Sequence, residues 1–381
     1  MPPRERLVVG LSSNVLETPG ARGRIDGIGT YTRELERALV EAGVAVRRVG
    51  ASMRSGGRLV APRSASLRFP LPLPVVAAAG ATLRLPLGRA VARALDVYHA
   101  TDYMVPRLTG VPVVATVYDA IPLAHPEWAN PRLRAVKNWL LRRSVASAAA
   151  VVAISRAGRA DVIEHYRVPA ERIRVVPLGV DARWFAAPSP SAIAAALARH
   201  DVTQGYLLHV GTLQPRKNVE TLLRAYEALP RRVRDARQLV LVGKYGWAAE
   251  ALRARLADLS SKRRVVWLDY VESDDLVALY HGAGMFVFAS LAEGFGLPVL
   301  EALAAGLPVI ASDLPALREV AGDAATYVEP RDAEAFAAAI EAVHDVQDGV
   351  FVREARRAHA RAFTWQRCAE RTIAVYREVV R

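Results

Sequence analysis

Cysteine is nearly absent: Cys368 is the only one in 381 residues. One thiol closes no intramolecular disulfide, and no run carries metal-binding Cys/His spacing, so a disulfide-stapled scaffold and a structural zinc site are excluded and a reducing, cytoplasmic setting is expected. Long apolar runs are missing too. The longest charge-free stretch near the front, 69–83, is broken by Pro70, Pro72 and Pro74, and a spanning helix needs about 20 apolar residues, so no membrane crossing is expected. Residues 1–6 lead straight into an apolar strand, and no secretory leader is expected. Asp-x-Asp occurs nowhere, which removes the usual carboxylate clamp for a magnesium or manganese diphosphate, and no metal is expected. The first strand is not followed at once by Gly-x-Gly-x-x-Gly, which argues against a nicotinamide or flavin enzyme.

What is present is a long, apolar and unevenly charged chain. Its length suits two domains, each able to bury its own core. The formal charge is +13, and residues 1–190 hold 27 Lys+Arg against 14 Asp+Glu while residues 191–381 hold 24 of each. All the excess lies in the first half, which points either to an anionic partner such as an acidic membrane surface or to an arginine-rich solvated face, since 47 of the 51 cations are Arg. Short β-rich runs at 7–12, 45–49, 97–100, 113–117, 151–154 and 173–176 alternate with amphipathic stretches such as 31–42 and 133–147. The rhythm repeats with strands at 206–210, 239–242, 265–268, 285–289, 309–311 and 326–328, separated by helices at 219–228, 249–259, 274–281 and 298–305. That alternation predicts an α/β protein of two Rossmann-like domains with parallel sheets. The expected division is 1–187 and 188–360, with 361–381 as a terminal helix, a linker at 181–191 and a long loop at 52–74. Two such domains present a cleft at the carboxyl ends of their strands, where open α/β folds bind ligands.

The residues following those strands carry the chemistry. Glu293-Gly294-Phe295-Gly296-Leu297-Pro298-Val299-Leu300-Glu301 comes directly after strand 285–289; its glycines permit a tight turn, Pro298 suits a first helical turn, and free amides there favour phosphate. Glu293 and Glu301 are acceptors for hydroxyl-rich groups. Gly211-Thr-Leu-Gln-Pro-Arg216-Lys217-Asn218 follows the first strand of the second half and places two cations at a strand-to-helix turn, where a departing diphosphate could be neutralised. Asp26-Gly27-Ile28-Gly29-Thr30-Tyr31 opens a helix and allows close backbone approach to phosphate or sugar.

Together with Gly243-Lys244-x-Gly246-Trp247 and Gly306-x-Pro308-Val309-Ile310, these motifs resemble the retaining glycosyltransferases of family 4, nearest to bacterial mannosyl- and rhamnosyl-type members. The resemblance covers nearly the whole chain and implies the GT-B fold: acceptor bound by the first domain, nucleotide-sugar donor by the second, and a last helix, after Phe363-Thr-Trp365, returning to the first. By position it implies that Arg216 and Lys217 bind the donor diphosphate, Glu301 the ribose, and Glu293 the donor sugar near its reacting carbon. The amides of Gly296, Leu297 and Val299 complete the phosphate site, the loop around Tyr270 and Val271 holds the base, and Gly27, Gly29, Gly211, Lys244, Gly294 and Phe295 border the donor. In that family the leaving phosphate takes the acceptor proton, so no protein base is required.

One departure stands out. Where the resemblance implies His-Asp after strand 113–117, this chain has Tyr118-Asp119; tyrosine hydrogen-bonds but does not titrate near neutrality. His99 and His125 are the nearby imidazoles, with structural roles expected ahead of catalytic ones. Trp128, Trp139 and Trp184 are expected to pack, and Trp247 to border the donor. The expected activity is transfer of a sugar, with GDP-mannose favoured over UDP- or dTDP-sugars, to a glycan or lipid-linked acceptor in cell-surface polysaccharide or glycolipid synthesis. The protein would work in the cytoplasm, peripherally at the inner face of an anionic membrane. The competing readings are a silent donor-binding homologue, motivated by Tyr118, and a nucleic-acid binder, motivated by charge but unsupported by any recognition motif.

Overall fold

The computed structural model describes residues 6–16, 27–51, 53–55, 58–60, 65–69, 71–83, 88–128, 134–246, 252–253, 255–256, 259, 264–346 and 349–381. Asp26, Trp247 and most of the expected helix 249–259 lie outside them. The chain divides into two compact units, residues 1–179 with 364–381, and residues 180–363.

The first unit is built on seven strands: β1 (Val8–Ser12), β2 (Ala45–Ala51), β5 (Leu67–Phe69), β6 (Val97–Ala100), β7 (Val113–Val117), β8 (Ala150–Ala153) and β9 (Ile173–Val175). They are all parallel, in the order β5-β2-β1-β6-β7-β8-β9. Strands β6, β7 and β8 are buried at every position, as a sheet covered on both faces requires, and this is why they read as unbroken apolar runs. The stretch 52–74, read as a loop, contains more structure than that: a hairpin of β3 (Met53–Ser55) and β4 (Arg58–Val60), the edge strand β5, and the start of a helix over Leu73–Leu83. Pro74 falls in the first turn of that helix, where its missing N–H costs nothing.

The last helix, Trp365–Val380, belongs to this unit. Thr364 caps it, its hydroxyl accepting the Arg367 amide at 3.1 Å. Trp365, Cys368, Ala369, Thr372, Ile373 and Tyr376 are buried at helical spacing, and the ring of Trp365 lies 6.1 Å from that of Tyr31 on helix Gly27–Glu41. Gly179 is required where the chain passes this helix, because a Cβ there would stand 2.2 Å from the Trp365 nitrogen.

The second unit holds β10 (Leu207–Val210), β11 (Leu239–Val242), β12 (Val265–Leu268), β13 (Met285–Phe288), β14 (Val309–Ser312) and β15 (Thr326–Val328). These are parallel in the order β12-β11-β10-β13-β14-β15. Residues 181–191, expected to be a linker, fold into this unit: Trp184 is buried and its ring packs edge-on to Tyr280 at 4.8 Å. Both sheets therefore reverse their strand order beside a central strand, between β1 and β6 in the first unit and between β10 and β13 in the second.

Candidate functional site

In the second unit, the turns after β10 and β13 meet at the reversal point, the position where open α/β sheets bind ligands. A short 3-10 turn, Pro215–Lys217, leads into helix Val219–Ala228 through Asn218, which is left-handed at φ 53°. The Asn218 amide holds that turn in place, donating to Ala289 O at 3.0 Å and Pro330 O at 2.7 Å while its oxygen accepts from Thr221 at 2.9 Å. The Leu291 amide adds a bond to Arg216 O at 2.7 Å. The cation-bearing turn is thus tied to the carboxyl end of β13.

The side chains of the two turns converge. Lys217 Nζ lies 2.5 Å from Glu293 Oε1 and Arg216 Nη1 3.2 Å from the same oxygen. Burial opposes the charge of Glu293, but Lys217 first and Arg216 second outweigh it and hold the carboxyl down at about 2. The Lys217 ammonium also stands 4.6 Å from the centroid of the Phe288 ring. Gly243, at φ 146°, passes so close to the Gly211 carbonyl that a Cβ would overlap it.

Helix Leu297–Ala305 begins at Gly296, left-handed at φ 104°, with Pro298 in its first turn. The Val299 amide, expected to bind phosphate, instead donates to Gly296 O at 2.9 Å and closes the first turn. The amides of Gly296 and Leu297 have no acceptor among the described residues, so two donors rather than three remain at this terminus. Glu301, the one polar residue of an otherwise apolar helix, takes a 3.0 Å hydrogen bond from the Tyr280 hydroxyl. Burial pushes its carboxyl up to about 8 against the opposing pull of Tyr280 and Arg183.

The remaining expected donor residues differ in exposure. Gly294 and Phe295 are buried in the turn, with the Phe295 ring edge-on to Phe363. Tyr270 is 37 % exposed while Val271 is buried, and Lys244 is exposed.

The first unit turns Tyr118 away from any ligand and gives His99 the structural role expected of it. Tyr118 does not offer its hydroxyl to a ligand: the ring is buried against Tyr31, and the hydroxyl donates to Thr101 O at 2.6 Å. Burial pushes it well above the usual phenol range. His99 is fully buried, bonded through Nδ1 to Tyr376 at 2.6 Å and through Nε2 to Thr116 at 2.8 Å. Burial lowers it to about 3, so it is a neutral strut between the sheet and the last helix. Both sit inside because β6, which carries His99, and β7, which leads to Tyr118, are covered on each face. Asp119 accepts the Ile121 amide two residues on at 3.1 Å, and His125 stacks on Trp128 at the surface, 4.1 Å between centroids. Gly27 starts helix Gly27–Glu41 with open space where a Cβ would be, and Gly29 is buried two residues on.

Motif reading passed over three groups. Tyr280 and Asn218 serve the second unit as described, and Asp102, at the end of β6, bonds to Ser12. Asn218 was visible in the Arg-Lys-Asn run; the other two depend on strand adjacency that sequence order does not display.

The sequence and the fold both match known proteins. Residues 181–361 match the family model for glycosyl transferases group 1, and residues 25–184 the model for Glycosyltransferase Family 4. O-antigen chain mannosyltransferase B of Escherichia coli is 34% identical over 74% of this chain and 74% of its own length. Serotype-specific mannosyltransferase WbdA, also of Escherichia coli, is 30% identical over 68% of this chain, which spans 32% of that larger protein. Among solved structures, sucrose-phosphate synthase from Thermosynechococcus elongatus superimposes with a TM-score of 0.74 over 98% of this chain and 99% of its own, at 22% identity. Anabaena HepE in complex with UDP and glucose gives 0.72 over 98% and 100%, at 18%. The fold is therefore GT-B, and the chain belongs to glycosyltransferase family 4, among relatives of the O-antigen mannosyltransferases.

Proposed function

We propose that the chain transfers mannose from GDP-mannose, with retention of configuration and without a metal, to a glycan or lipid-linked acceptor in cell-surface polysaccharide synthesis. The observation that carries this reading is the meeting of Arg216, Lys217 and two acceptor-free amides at the strand reversal of the second unit. Fixed donors of this kind suit a diphosphate whose negative charge grows as it leaves. They supply in side chains the neutralisation that a divalent ion would otherwise give. In the proposed step the bond from the anomeric carbon to the phosphate oxygen breaks, the acceptor oxygen bonds to that carbon on the same face, and the acceptor proton passes to the leaving phosphate. Glu293, ionised at neutral pH, would face the positive charge developing on the sugar, and Glu301 the ribose hydroxyls. Mannose is favoured because mannosyl transfer is what the names of the similar O-antigen enzymes state.

A silent donor-binding homologue is the second reading, favoured by the inward-turned Tyr118 hydroxyl. Release of GDP from GDP-mannose, with a mannosylated octyl α-mannoside recovered over many turnovers, supports catalysis. Stoichiometric binding without turnover supports the silent reading. The anomeric proton coupling of the product distinguishes retention from inversion.

A peripheral place at an anionic membrane is part of the proposal. Among the described residues no helix is long and apolar enough to cross a membrane. Helix Arg134–Ala146 exposes Val136 and Trp139 beside the exposed cations Lys137, Arg142 and Arg143, with the Arg143 guanidinium 5.5 Å from the Trp139 ring. Residues 128–160 contain no acidic residue. Tryptophan with flanking cations suits a lipid interface. Cosedimentation with phosphatidylglycerol vesicles, lost at high salt and weakened by Trp139→Ala, is expected; indifference to both would remove this part.

A further inference from the structure

Strand order places Ser12 and Asp102 together. β1 and β6 are parallel neighbours, with Leu11 opposite His99, and the sheet runs outward from this pair in both directions. Ser12 ends β1, and Asp102 lies two residues beyond β6. The crevice outside the carboxyl ends at such a reversal is the ligand position of an open α/β sheet. Asp102 is 8 % exposed; its Oδ2 accepts from the Ser12 hydroxyl at 2.8 Å and its Oδ1 from the Met104 amide at 2.9 Å.

Neither partner is a cation. A carboxylate at this depth is ordinarily paired with Lys or Arg, and among the described residues Asp102 has no ion-pair partner. Its two oxygens offer about four acceptor positions, of which described residues fill two. Burial raises the carboxyl to about 6 in spite of both hydrogen bonds. Among the described residues, the titratable groups facing it are the hydroxyls of Tyr98 on β6 and Tyr118 after β7, both pushed far up by burial and therefore neutral. The position thus combines a built, nearly dry carboxylate, spare acceptor capacity and the topological ligand site. A structural role alone explains the first feature but leaves the other two without purpose.

We propose that Asp102 binds the acceptor, taking a hydrogen bond from a sugar hydroxyl, and that it selects an uncharged hydroxyl-bearing ring at this position over a phosphate. This rests on the reading that the first unit receives the acceptor. An acceptor-only group suits a hydroxyl proton, whereas a phosphate would meet like charge in a site with little water to screen it. Asp102 takes no proton in the step; it holds the hydroxyl-bearing ring while the acceptor proton goes to the leaving phosphate.

The test uses the full chain with GDP-mannose as donor and octyl α-mannoside as acceptor. Asp102→Asn keeps the shape and the Met104 bond, and is expected to raise the acceptor KM tenfold or more with the donor KM and the GDP affinity unchanged. An unchanged acceptor KM, or an equal loss in donor KM, would overturn the assignment. The wild type supplies a second reading that needs no variant: its acceptor KM should climb as pH falls below about 6, where the carboxyl takes a proton, while its donor KM does not follow. A flat acceptor profile between pH 5 and 7 would also overturn it. Saturation-transfer NMR of octyl α-mannoside separates the two levels: no binding and no turnover by the wild type removes the underlying acceptor reading and this inference with it, whereas equal binding by wild type and Asp102→Asn removes this inference alone.

Discussion

Each unit reverses its strand order beside its first strand, and the residues that stand there differ in sign. In the second unit they are Arg216 and Lys217, with the amides of Gly296 and Leu297, which have no acceptor among the described residues. In the first they are Ser12 and Asp102, with no cation beside the carboxylate among the described residues. The shared topology provides a crevice in both, and the side chains decide what each crevice can hold. Donors and cations suit a diphosphate; a lone buried carboxylate suits a hydroxyl. A transferase that must hold a charged donor and a polyhydroxyl acceptor has use for this division. The formal charge does not follow it: the excess of cations lies in the first half, while the concentrated cation site lies in the second. Net charge therefore describes the surface of the first unit rather than its crevice.

The comparison can be broken first at Glu293. Glu293→Gln leaves two cations facing each other across an amide, and loss of one partner of a nearly buried pair costs about 3 kcal/mol. A lower melting temperature for the variant is expected, with inorganic pyrophosphate restoring more of it than it adds to the wild type. The wild-type carboxyl is held at about 2, below its ordinary 4.5. Its stabilisation is therefore complete above pH 4.5 and lost as pH falls towards 2, and Glu293→Gln should remove that part of the acid dependence.

Glu301 behaves oppositely. Its folded carboxyl is raised to about 8, so it keeps its proton at pH 7 while the unfolded chain does not, and stability falls as pH rises from 4.5 through 8. If ribose hydroxyls bind the ionised form, GDP-mannose affinity should rise up to about tenfold per pH unit between pH 6 and 8. Glu301→Gln should flatten that slope in calorimetric titrations, and an unchanged slope would take the ribose role from Glu301.

The smallest effect is expected at Tyr118. Tyr118→Phe removes one buried hydrogen bond to Thr101 O and should cost about 1 kcal/mol of stability, read by denaturant unfolding, with kcat nearly intact. A collapse of kcat at unchanged stability would return Tyr118 to the catalytic machinery.

Much of this architecture was legible because buried parallel strands are continuous apolar runs. Strands such as 97–100, 113–117 and 239–242 occupy the expected residues. The stretch 52–74 was not, since a three-residue strand such as Leu67–Phe69 is too short to show a period and three alternating prolines imitate a loop. The cation turn and the glycine turn were visible as local motifs, and the structure brings them together. Which amides stay free was not, because the Val299 bond depends on how the first helical turn closes. The direction of Tyr118, whose hydroxyl reaches Thr101 17 residues back, and the pairing of Ser12 with Asp102 across 90 residues depend on strand adjacency, which no local pattern encodes.

The central claim is that the strand reversal of the second unit is a diphosphate site. Calorimetric titration of GDP into the wild type and into the Arg216→Ala, Lys217→Ala double variant tests it most directly. Two charge-assisted contacts of about 1.5–3 kcal/mol each predict a loss of at least a hundredfold in affinity, with pyrophosphate losing as much as GDP. Equal affinity for wild type and variant would contradict the account.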